Sequence, residues 1–346
     1  IYEIMKRGGL DVRLVGNIEK PVLSFLKGAN QKTIFVYELS SHQLWDLTKS
    51  PHIAVLLNIF QEHLDYYPDF KTYTRAKENI TLHQTPQDYL IFNAAWPILK
   101  EIAAKSRAQK IPYDLKKDKG ELEKIIPVKK IPLPGKFNLQ NVMPAIIVGK
   151  IFHLPNEKIA QVLRSFKPLP HRLEKVGTYH GITFYNDSIA TIPEATIEAI
   201  ETLGNKVQTI LLGGFERQQN FQNLAQKILQ SRIKNVILFP TTGQRIWRAI
   251  VDQGNKQDLL PQHFSVNNMK EAIKQATEAM AQAANTAFGT VSDDGVLGGI
   301  KILSPESAKA QAEIFGLVWG QTVAEKGLVE AGRLLKPGFD ALIQQL

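Results

Sequence analysis

Short apolar runs alternate with segments of mixed polarity along most of the chain. Each run is followed by a segment whose pattern indicates a helix or a loop. Strands are predicted at TIFVYE (33–38), HIAVLLNI (52–59), DYLIFN (88–93), ITFYND (182–187), QTILLGG (208–214), NVILFP (235–240) and GIKILSP (299–305). Nearly continuous apolar strands are typical of parallel sheets buried on both faces. The pattern therefore predicts an α/β protein that binds ligands beyond the carboxyl ends of its strands.

Helical segments are predicted at several places between these runs. Asp69 is a candidate N-cap for a helix that begins within YPDFKTYTRAKENI, and a second helix is predicted over 156–166. The charged segment 116–137 predicts short strands and loops that cover the first sheet. The tail after Pro305 has an amphipathic pattern, so we expect it to be rich in helix and to pack on the second sheet.

The length of the chain favours two domains. It has 346 residues, and a domain usually has about 100 to 200. Two prolines interrupt the segment 164–177, directly after the second predicted helix. We therefore expect one domain over residues 1–168 and a second, doubly wound α/β domain over residues 169–346.

Composition narrows the class of protein. Hydrophobic residues make up 44% and charged residues 22%, as in soluble globular proteins, and the sequence contains no run of the roughly 18 apolar residues that a membrane span needs. The sequence has no cysteine, which excludes disulfides and thiolate metal sites and is consistent with a location in the cytoplasm. The net charge of +9 favours an anionic ligand. Because the basic residues are scattered, a nucleotide or phosphorylated metabolite is expected rather than a nucleic acid.

Candidate metal ligands follow two consecutive strands. Glu38 ends the first, where a carboxylate can hold Mg²⁺ beside a triphosphate; alternatively, this segment starts a helix capped by Ser40 or Ser41. His63 lies in an acidic loop after the next strand, and it is either a metal ligand or an ordinary loop residue. Adjacent parallel strands lie about 4.8 Å apart, so the two strand ends are expected to line one crevice. Lys77 follows in the next helix, as a site residue or a surface lysine.

Eight ordered segments resemble the Mur ligase family between Gly16 and about Pro305. They are GNIEKP, VYELSSHQL, LLNIFQEHLDYYPDFKTYTRAKENI, PGKFNLQN, LPHRLEKV, YNDSIATIPEAT, LLGGFER and ILSPESA. The resemblance implies a central ATP-binding domain with a mostly parallel sheet, followed by a C-terminal Rossmann-like domain that binds the incoming amino acid. Within the family, the segments favour the branch that adds D-glutamate to UDP-N-acetylmuramoyl-L-alanine in peptidoglycan synthesis.

The resemblance also implies a mechanism. Glu38 and His63 correspond to magnesium-site residues, and Lys77 to a lysine that reacts with CO₂ and becomes a carbamate able to bind a second Mg²⁺. ATP then phosphorylates the substrate carboxylate, and the amine of D-glutamate attacks the resulting acyl phosphate. ATP and two Mg²⁺ ions are therefore the expected cofactors, and a monomer is the expected state.

The same resemblance assigns binding residues. For the nucleotide these are Asn138, Asn141, Arg172 and Asp187, and for the incoming amino acid Thr191, Arg217 and Ser304. From the sequence alone, Asn138 is equally suited to cap the helix that follows it. Phe137 replaces the usual histidine, and Ile189 stands where the family commonly has lysine. The segment after Pro305 also departs from the family pattern, so the amino-acid pocket is the least well defined part.

Three other hypotheses remain. A related ligase with a different acceptor, including a folylpolyglutamate-type enzyme, has the same general motifs. The hypothesis of a non-catalytic nucleotide-binding protein derived from a ligase is disfavoured, because the chain retains Glu38, His63 and Lys77. A dinucleotide oxidoreductase is weaker, because neither GNIEKP nor LLGGFER supplies a G-x-G-x-x-G followed by a helix.

The first residues predict the end of a helix, a stop at Gly8 and Gly9, and a short strand in DVRLVG. In the family, this helix begins at a G-x-x-G-K-[ST] loop that holds the ATP phosphates. Neither that loop nor the UDP-binding domain that precedes it is in this sequence. We therefore expect these 346 residues alone to have little or no catalytic activity.

Overall fold

The computed structural model describes residues 1–17, 22–179, 182–254, 260–288, 296–297, 300–301 and 315–320. The chain divides into two compact units, Ile1–Lys167 and Pro168–Leu346. Both combine parallel strands with helices, so the α/β prediction is confirmed. Within the described residues, no helix is long and apolar enough to cross a membrane.

The first unit contains two parallel sheets. Its strands are β1 (Val12–Gly16), β2 (Ile34–Glu38), β3 (Ile53–Leu56), β4 (Tyr89–Asn93) and β5 (Gln109–Tyr113). Its helices are α1 (Tyr2–Arg7), α2 (Ser41–Leu44), α3 (Phe70–Leu82), α4 (Pro97–Lys105), α5 (Leu115–Ile125), α6 (Lys136–Ile151) and α7 (Asn156–Ser165). One sheet pairs β1 with β2, and the other has the order β3-β4-β5. Apolar side chains from both sheets share one core with α6 and α7, and a second core lies between the larger sheet and the helices α3 and α4.

The second unit has one large sheet. Its strands are β6 (Glu174–Tyr179), β7 (Ile182–Asn186), β8 (Val207–Gly213), β9 (Asn235–Phe239), β10 (Gln262–Ser265), the short pair β11 (Val296–Leu297) and β12 (Ile300–Lys301), and β13 (Phe315–Gly320). Its helices are α8 (Pro193–Leu203), α9 (Gln222–Leu229), α10 (Gly243–Gln253) and α11 (Met269–Phe288). The large sheet has the order β10-β9-β8-β13-β7-β6, in which β6 is antiparallel to β7 and the other described pairs are parallel; β11 and β12 form a separate antiparallel pair.

Most predicted elements are confirmed. The runs that gave β2, β3, β4, β7, β8 and β9 are strands, and α1, β1 and α7 lie where they were expected. Asp69 is the N-cap of α3, since its carboxylate accepts a hydrogen bond from Thr72 N at 2.6 Å. Apolar runs that end at capped helices therefore locate the framework of both units.

Two predictions are wrong. The segment 116–137 lies mostly in α5 and the start of α6 rather than in strands, because Asp114 caps a helix that buries little besides Leu122. In the tail after Pro305, the described residues Phe315–Gly320 form the strand β13 between β7 and β8 rather than a helix; its sequence FGLVWG has the continuous apolar character of a central strand. Within the predicted strand 299–305, the described residues Ile300–Lys301 are a strand, and they pair with β11 outside the large sheet.

Candidate functional site

The segment after β2 is fixed by a capping box. Ser40 Oγ accepts a hydrogen bond from Gln43 N at 3.3 Å, and Gln43 Oε1 accepts one from Ser40 N at 2.9 Å. The prediction of a helix cap at Ser40 is therefore confirmed. Glu38 is exposed at the end of β2, two residues before this cap, so the same short segment presents a carboxylate to solvent and a hydroxyl to the backbone.

His63 lies in a group of aromatic rings that we call the histidine–tyrosine cluster: His42, His63, Tyr66, Tyr67 and Tyr73. The ring centroids of His42 and His63 are 5.1 Å apart, and those of His63 and Tyr73 are 6.1 Å apart. His63 has a φ of 57°, and its carbonyl accepts hydrogen bonds from the amides of both Tyr66 and Tyr67. The turn and the ring contacts together fix the position of the imidazole.

Lys77 packs against this cluster. Its Nζ lies 5.1 Å from the centroid of the Tyr73 ring, and the side chain is half-buried. Burial lowers the pKa of Lys77, while the negative charge of Glu62 opposes this shift. Glu62 is itself close to the cluster, since its Oε2 lies 3.8 Å from His63 Nε2. The environment therefore increases the fraction of Lys77 that is a neutral, nucleophilic amine.

The structure corrects how these residues come together. β2 pairs with β1 and β3 pairs with β4, so the two strands that precede Glu38 and His63 belong to different sheets. The expectation that these two strands are neighbours in one sheet is therefore wrong, and a shared crevice between Glu38 and His63 stays a prediction. Instead, α2 brings His42 against His63. Within the described residues, no three His, Cys, Asp or Glu side chains are grouped as metal ligands.

Asn138 and Asn141 lie in the first turns of α6. The N-cap of this helix is Gly135, whose φ of 92° suits glycine, so the capping prediction for Asn138 is wrong. Asn138 is buried and its Nδ2 donates to Pro134 O at 2.6 Å. Asn141 is half-buried three residues later, on the same side of the helix.

In the second unit, the segment HRLE packs on the segment NDSIA. Asn186 Nδ2 lies 2.7 Å from His171 Nδ1, and Leu173 N donates to Asp187 Oδ1 at 2.8 Å. Ile189 N donates to the carbonyl of His171 at 3.3 Å. Two segments that carry predicted nucleotide-binding residues therefore form one local structure.

Asp187 is buried at the centre of this structure. Burial raises the pKa of its carboxyl to about 7, although the hydrogen bond from Leu173 and the charge of Arg172 act in the opposite direction. Arg172 itself is exposed. The site thus combines a buried acid that is partly protonated near neutral pH with an adjacent guanidinium in solvent.

The predicted amino-acid-binding residues lie after β7 and β8. Gln219 Nε2 donates to the carbonyl of Thr191 at 2.6 Å, which ties the loop that carries Arg217 to the segment after β7. Ser304 lies outside the described residues. The two described residues therefore belong to loops joined by a direct hydrogen bond.

Two family models match the chain consecutively. The Mur ligase middle domain matches residues 14–149, and the Mur ligase glutamate ligase domain matches residues 171–288. The chain belongs to the Mur ligase family. Glu38, His63, Lys77, Asn138 and Asn141 fall within the first match. Arg172, Asp187, Thr191 and Arg217 fall within the second.

Curated relatives point to one branch of the Mur ligases. The chain is 35% identical to the UDP-N-acetylmuramoylalanine--D-glutamate ligase of Geobacillus kaustophilus over 80% of this chain and 63% of that protein. It is 34% identical to the ligase of the same name from Oenococcus oeni over 80% of this chain and 64% of that protein. The chain therefore spans less than two thirds of the length of these relatives.

Solved structures show the same fold at low sequence identity. MurF from Acinetobacter baumannii has a TM-score of 0.67 and 12% identity, over 99% of this chain and 73% of that one. MurF from Thermotoga maritima in complex with ADP has a TM-score of 0.60 and 12% identity, over 99% and 77%. These similarities support the Mur ligase architecture.

Several contacts near these sites were not predicted from the sequence. His42, and Glu62 of the acidic loop, contact His63, and Gln219 holds Thr191. All three stand inside segments that resemble the Mur ligases, directly beside or close to the predicted residues. Their proximity in the sequence was the available signal, whereas their contacts depend on how the loops fold.

Proposed function

We propose that this chain forms the central and C-terminal domains of an ATP-dependent, ADP-forming ligase that joins D-glutamate to UDP-N-acetylmuramoyl-L-alanine. The reaction belongs to peptidoglycan synthesis in the cytoplasm. The observation that carries the proposal is the 35% identity, over 80% of the chain, to a protein named for this activity. Both matched domains contribute to that similarity, because the aligned length exceeds either one alone.

The proposed reaction has two transfers. A carboxylate oxygen of UDP-N-acetylmuramoyl-L-alanine attacks the γ-phosphorus of ATP; the bond to the β-phosphate oxygen breaks, and ADP leaves. The amine of D-glutamate then attacks the carbonyl carbon of the acyl phosphate. The amide bond forms, inorganic phosphate leaves, and the amine loses a proton. Phosphorylation is needed because a free carboxylate offers no leaving group for the second transfer.

Lys77 is proposed to become a carbamate. Its neutral Nζ attacks the carbon of CO₂, a C–N bond forms and a proton is lost, which converts an amine into an oxygen ligand. The lowered pKa of Lys77, caused by burial, favours this reaction because only the neutral amine is a nucleophile. The Tyr73 ring beside Nζ keeps the amine partly desolvated.

Glu38, His63 and the Lys77 carbamate would hold Mg²⁺. Because Mg²⁺ usually keeps few protein ligands, oxygens of the carbamate and of the nucleotide would complete such a site. When bound, Mg²⁺ neutralises phosphate charge during transfer. The histidine–tyrosine cluster orients His63 before any ligand is present.

The remaining residues are proposed to bind the small molecules. Asn138 and Asn141 would contact the adenine, and Arg172 and Asp187 the phosphate and ribose of the nucleotide. Thr191 and Arg217 would bind D-glutamate, with Ser304 as a further contact. A guanidinium at position 217 suits a carboxylate, because it can donate two parallel hydrogen bonds.

The test is phosphate release by the full-length protein in which this chain occurs. Release should require ATP, UDP-N-acetylmuramoyl-L-alanine and D-glutamate together, and should stop when any one is omitted. L-Glutamate is the matched control for the acceptor, since it differs only in configuration. Turnover with L-glutamate and a folate instead would identify a different ligase, and no release with any amino acid would indicate a non-catalytic derivative.

A further inference from the structure

The loop after β8 is anchored where it begins. Gly214 has a φ of 129°, and its carbonyl accepts hydrogen bonds from Thr241 N at 3.0 Å and from Thr242 N and Oγ1, each at 3.2 Å. The residues that donate these bonds lead directly into α10. The start of the loop and the start of α10 are therefore held together.

The side chain of Arg245, on α10, forms hydrogen bonds with the middle of the loop. Arg245 Nη1 donates to both carboxylate oxygens of Glu216, at 2.5 and 2.6 Å, and Nη2 donates to Gln219 O at 2.9 Å. The guanidinium also lies 5.2 Å from the centroid of the Phe221 ring. Arg245 thus contacts the loop on both sides of Arg217, which lies between Glu216 and Gln219.

The same loop reaches the segment after β7. The main-chain carbonyl of Gln219 accepts a hydrogen bond from Arg245 Nη2 at 2.9 Å, while its side-chain Nε2 donates a hydrogen bond to Thr191 O at 2.6 Å. A single residue therefore links Arg245 to Thr191. Displacing the Gln219 main chain would also move the amide that holds Thr191.

We propose that Arg245 is a positioning residue for the incoming amino acid. It holds the loop Glu216–Phe221 in the conformation in which Arg217 and Thr191 bind the same amino dicarboxylate. This inference rests on the proposed function, since it takes Arg217 and Thr191 as the acceptor-binding residues. Arg245 itself binds the protein rather than the substrate.

The electrostatics of the loop support this role. Burial alone would raise the pKa of Glu216, but the hydrogen bond and charge of Arg245, together with backbone hydrogen bonds from residues 217 and 218, outweigh it, so the net pKa is below its usual value. Without Arg245, the Glu216 carboxylate would lose this ion pair beside Arg217 and would weaken the positive potential that attracts a dicarboxylate.

The contribution to global stability is expected to be small. The side chains of Arg245 and Glu216 are 48% and 37% exposed, and exposed ion pairs usually add little to the free energy of unfolding. The specific consequence is geometric, because a fork of donors fixes three points of a short loop. A loss of Arg245 should therefore change acceptor binding far more than folding.

The experiment compares Arg245→Met, Arg245→Lys and Arg248→Gln in the full-length protein. The Met substitution keeps an apolar side chain near Phe221 and removes the guanidinium hydrogen-bond donors. The Lys substitution keeps the positive charge but lacks the planar, forked set of donors. Arg248 is exposed one turn further along α10 and serves as the control. We expect Arg245→Met to raise KM for D-glutamate by about tenfold or more, since small misplacements of binding groups are costly. KM for ATP should stay unchanged, Lys should be intermediate, and Arg248→Gln should match the wild type.

Amide hydrogen exchange of residues 214–221 gives a second readout. Exchange should accelerate in Arg245→Met while the rest of the described chain keeps its protection. An unchanged KM for D-glutamate in Arg245→Met overturns the inference, and so does an equal rise in the KM of every substrate together with a lower melting temperature.

The outcome for the wild type separates this inference from the proposed function. If the wild type consumes a different amino acid, the proposed acceptor is wrong, and the Arg245 variants are compared with that amino acid instead. If no amino acid supports phosphate release, the proposed function and the inference both fail. If D-glutamate supports phosphate release but the Arg245 variants have the same KM for D-glutamate as the wild type, only the inference fails.

Discussion

Lys77 in the first unit and Asp187 in the second are ionisable groups whose main perturbation is burial. Burial lowers the pKa of Lys77 and raises that of Asp187 to about 7, so both shifts favour the uncharged form. Their immediate partners differ. Lys77 lies against the face of Tyr73, whereas Asp187 accepts a hydrogen bond from Leu173 N.

The difference in partners gives the two groups different chemistry. A neutral lysine is a nucleophile, so desolvation favours the reaction proposed for Lys77. A neutral carboxyl is a poorer acceptor than a carboxylate, so desolvation works against the contact that Asp187 makes and against a role in binding cations. The same physical effect is therefore useful in one unit and is opposed by neighbouring groups in the other, where Leu173 N and Arg172 favour the charged form.

The largest expected effect comes from removing the amine of the first unit. Lys77→Ala in the full-length protein should lower phosphate release by about 10³-fold, as expected when a group that organises transition-state charge is lost. A small carboxylic acid such as acetate should restore part of the activity, because it can replace the oxygen ligands of a carbamate. Steady-state phosphate release with and without acetate measures both effects.

Lys71→Ala is the matched control, since Lys71 is exposed on the same helix. Its activity should equal that of the wild type, with or without acetate. Full activity of Lys77→Ala would rule out the proposed carbamate. Activity of Lys77→Arg equal to the wild type would do so too, because a guanidinium keeps the positive charge but is a poor nucleophile.

The second effect concerns stability and tests the buried acid. The folded-state pKa of Asp187, about 7, lies above the ordinary value of 3.8. Between these values the folded state keeps a proton that the unfolded state has lost, so the contribution of Asp187 is fully present below pH 3.8 and is lost as the pH rises through about 7. The Asp187→Asn variant has no such carboxyl, so it does not lose this stability as the pH rises. Its free energy of unfolding relative to the wild type should rise by up to about 4 kcal/mol between pH 4 and pH 8.

Urea denaturation at several pH values measures this difference. Asp252→Asn is the control, because Asp252 is exposed on α10 of the same unit, and it should follow the wild type at every pH. Parallel pH profiles for the wild type and Asp187→Asn would show that Asp187 is not the buried acid described here.

The sequence predicted the framework better than the contacts within it. Strands such as β4 and β9 were predicted because a strand buried on both faces is apolar along its whole length. By contrast, β5 has the sequence QKIPY and was not predicted, because it is an edge strand that tolerates Pro112 and exposes most of its residues. Elements with few buried residues leave too weak a pattern.

The candidate sites show the same limit. Lys77 and Asp187 were named from motifs, but the burial that shifts their pKa values, and their contacts with Tyr73 and Leu173, arise only in the folded chain. The hydrogen bond between Gln219 and Thr191 joins residues 28 positions apart. A motif can give the type of a side chain at a site, whereas its environment depends on long-range packing.

The smallest effect tests what holds the first site in place. Ser40 caps the four-residue helix α2, which presents His42 to His63, while in the second unit His171 is held by the side chain of Asn186. Ser40→Ala should destabilise α2 by about 1 kcal/mol, because Gln43 N loses its side-chain acceptor. Hydrogen exchange at Gln43 should then be about fivefold faster.

The control is Thr48→Ala, an exposed substitution in the same segment, which should leave the exchange rate of Gln43 unchanged. Equal exchange rates in both variants would mean that packing of Ser41 and Leu44, both buried, holds His42 beside His63 without the cap.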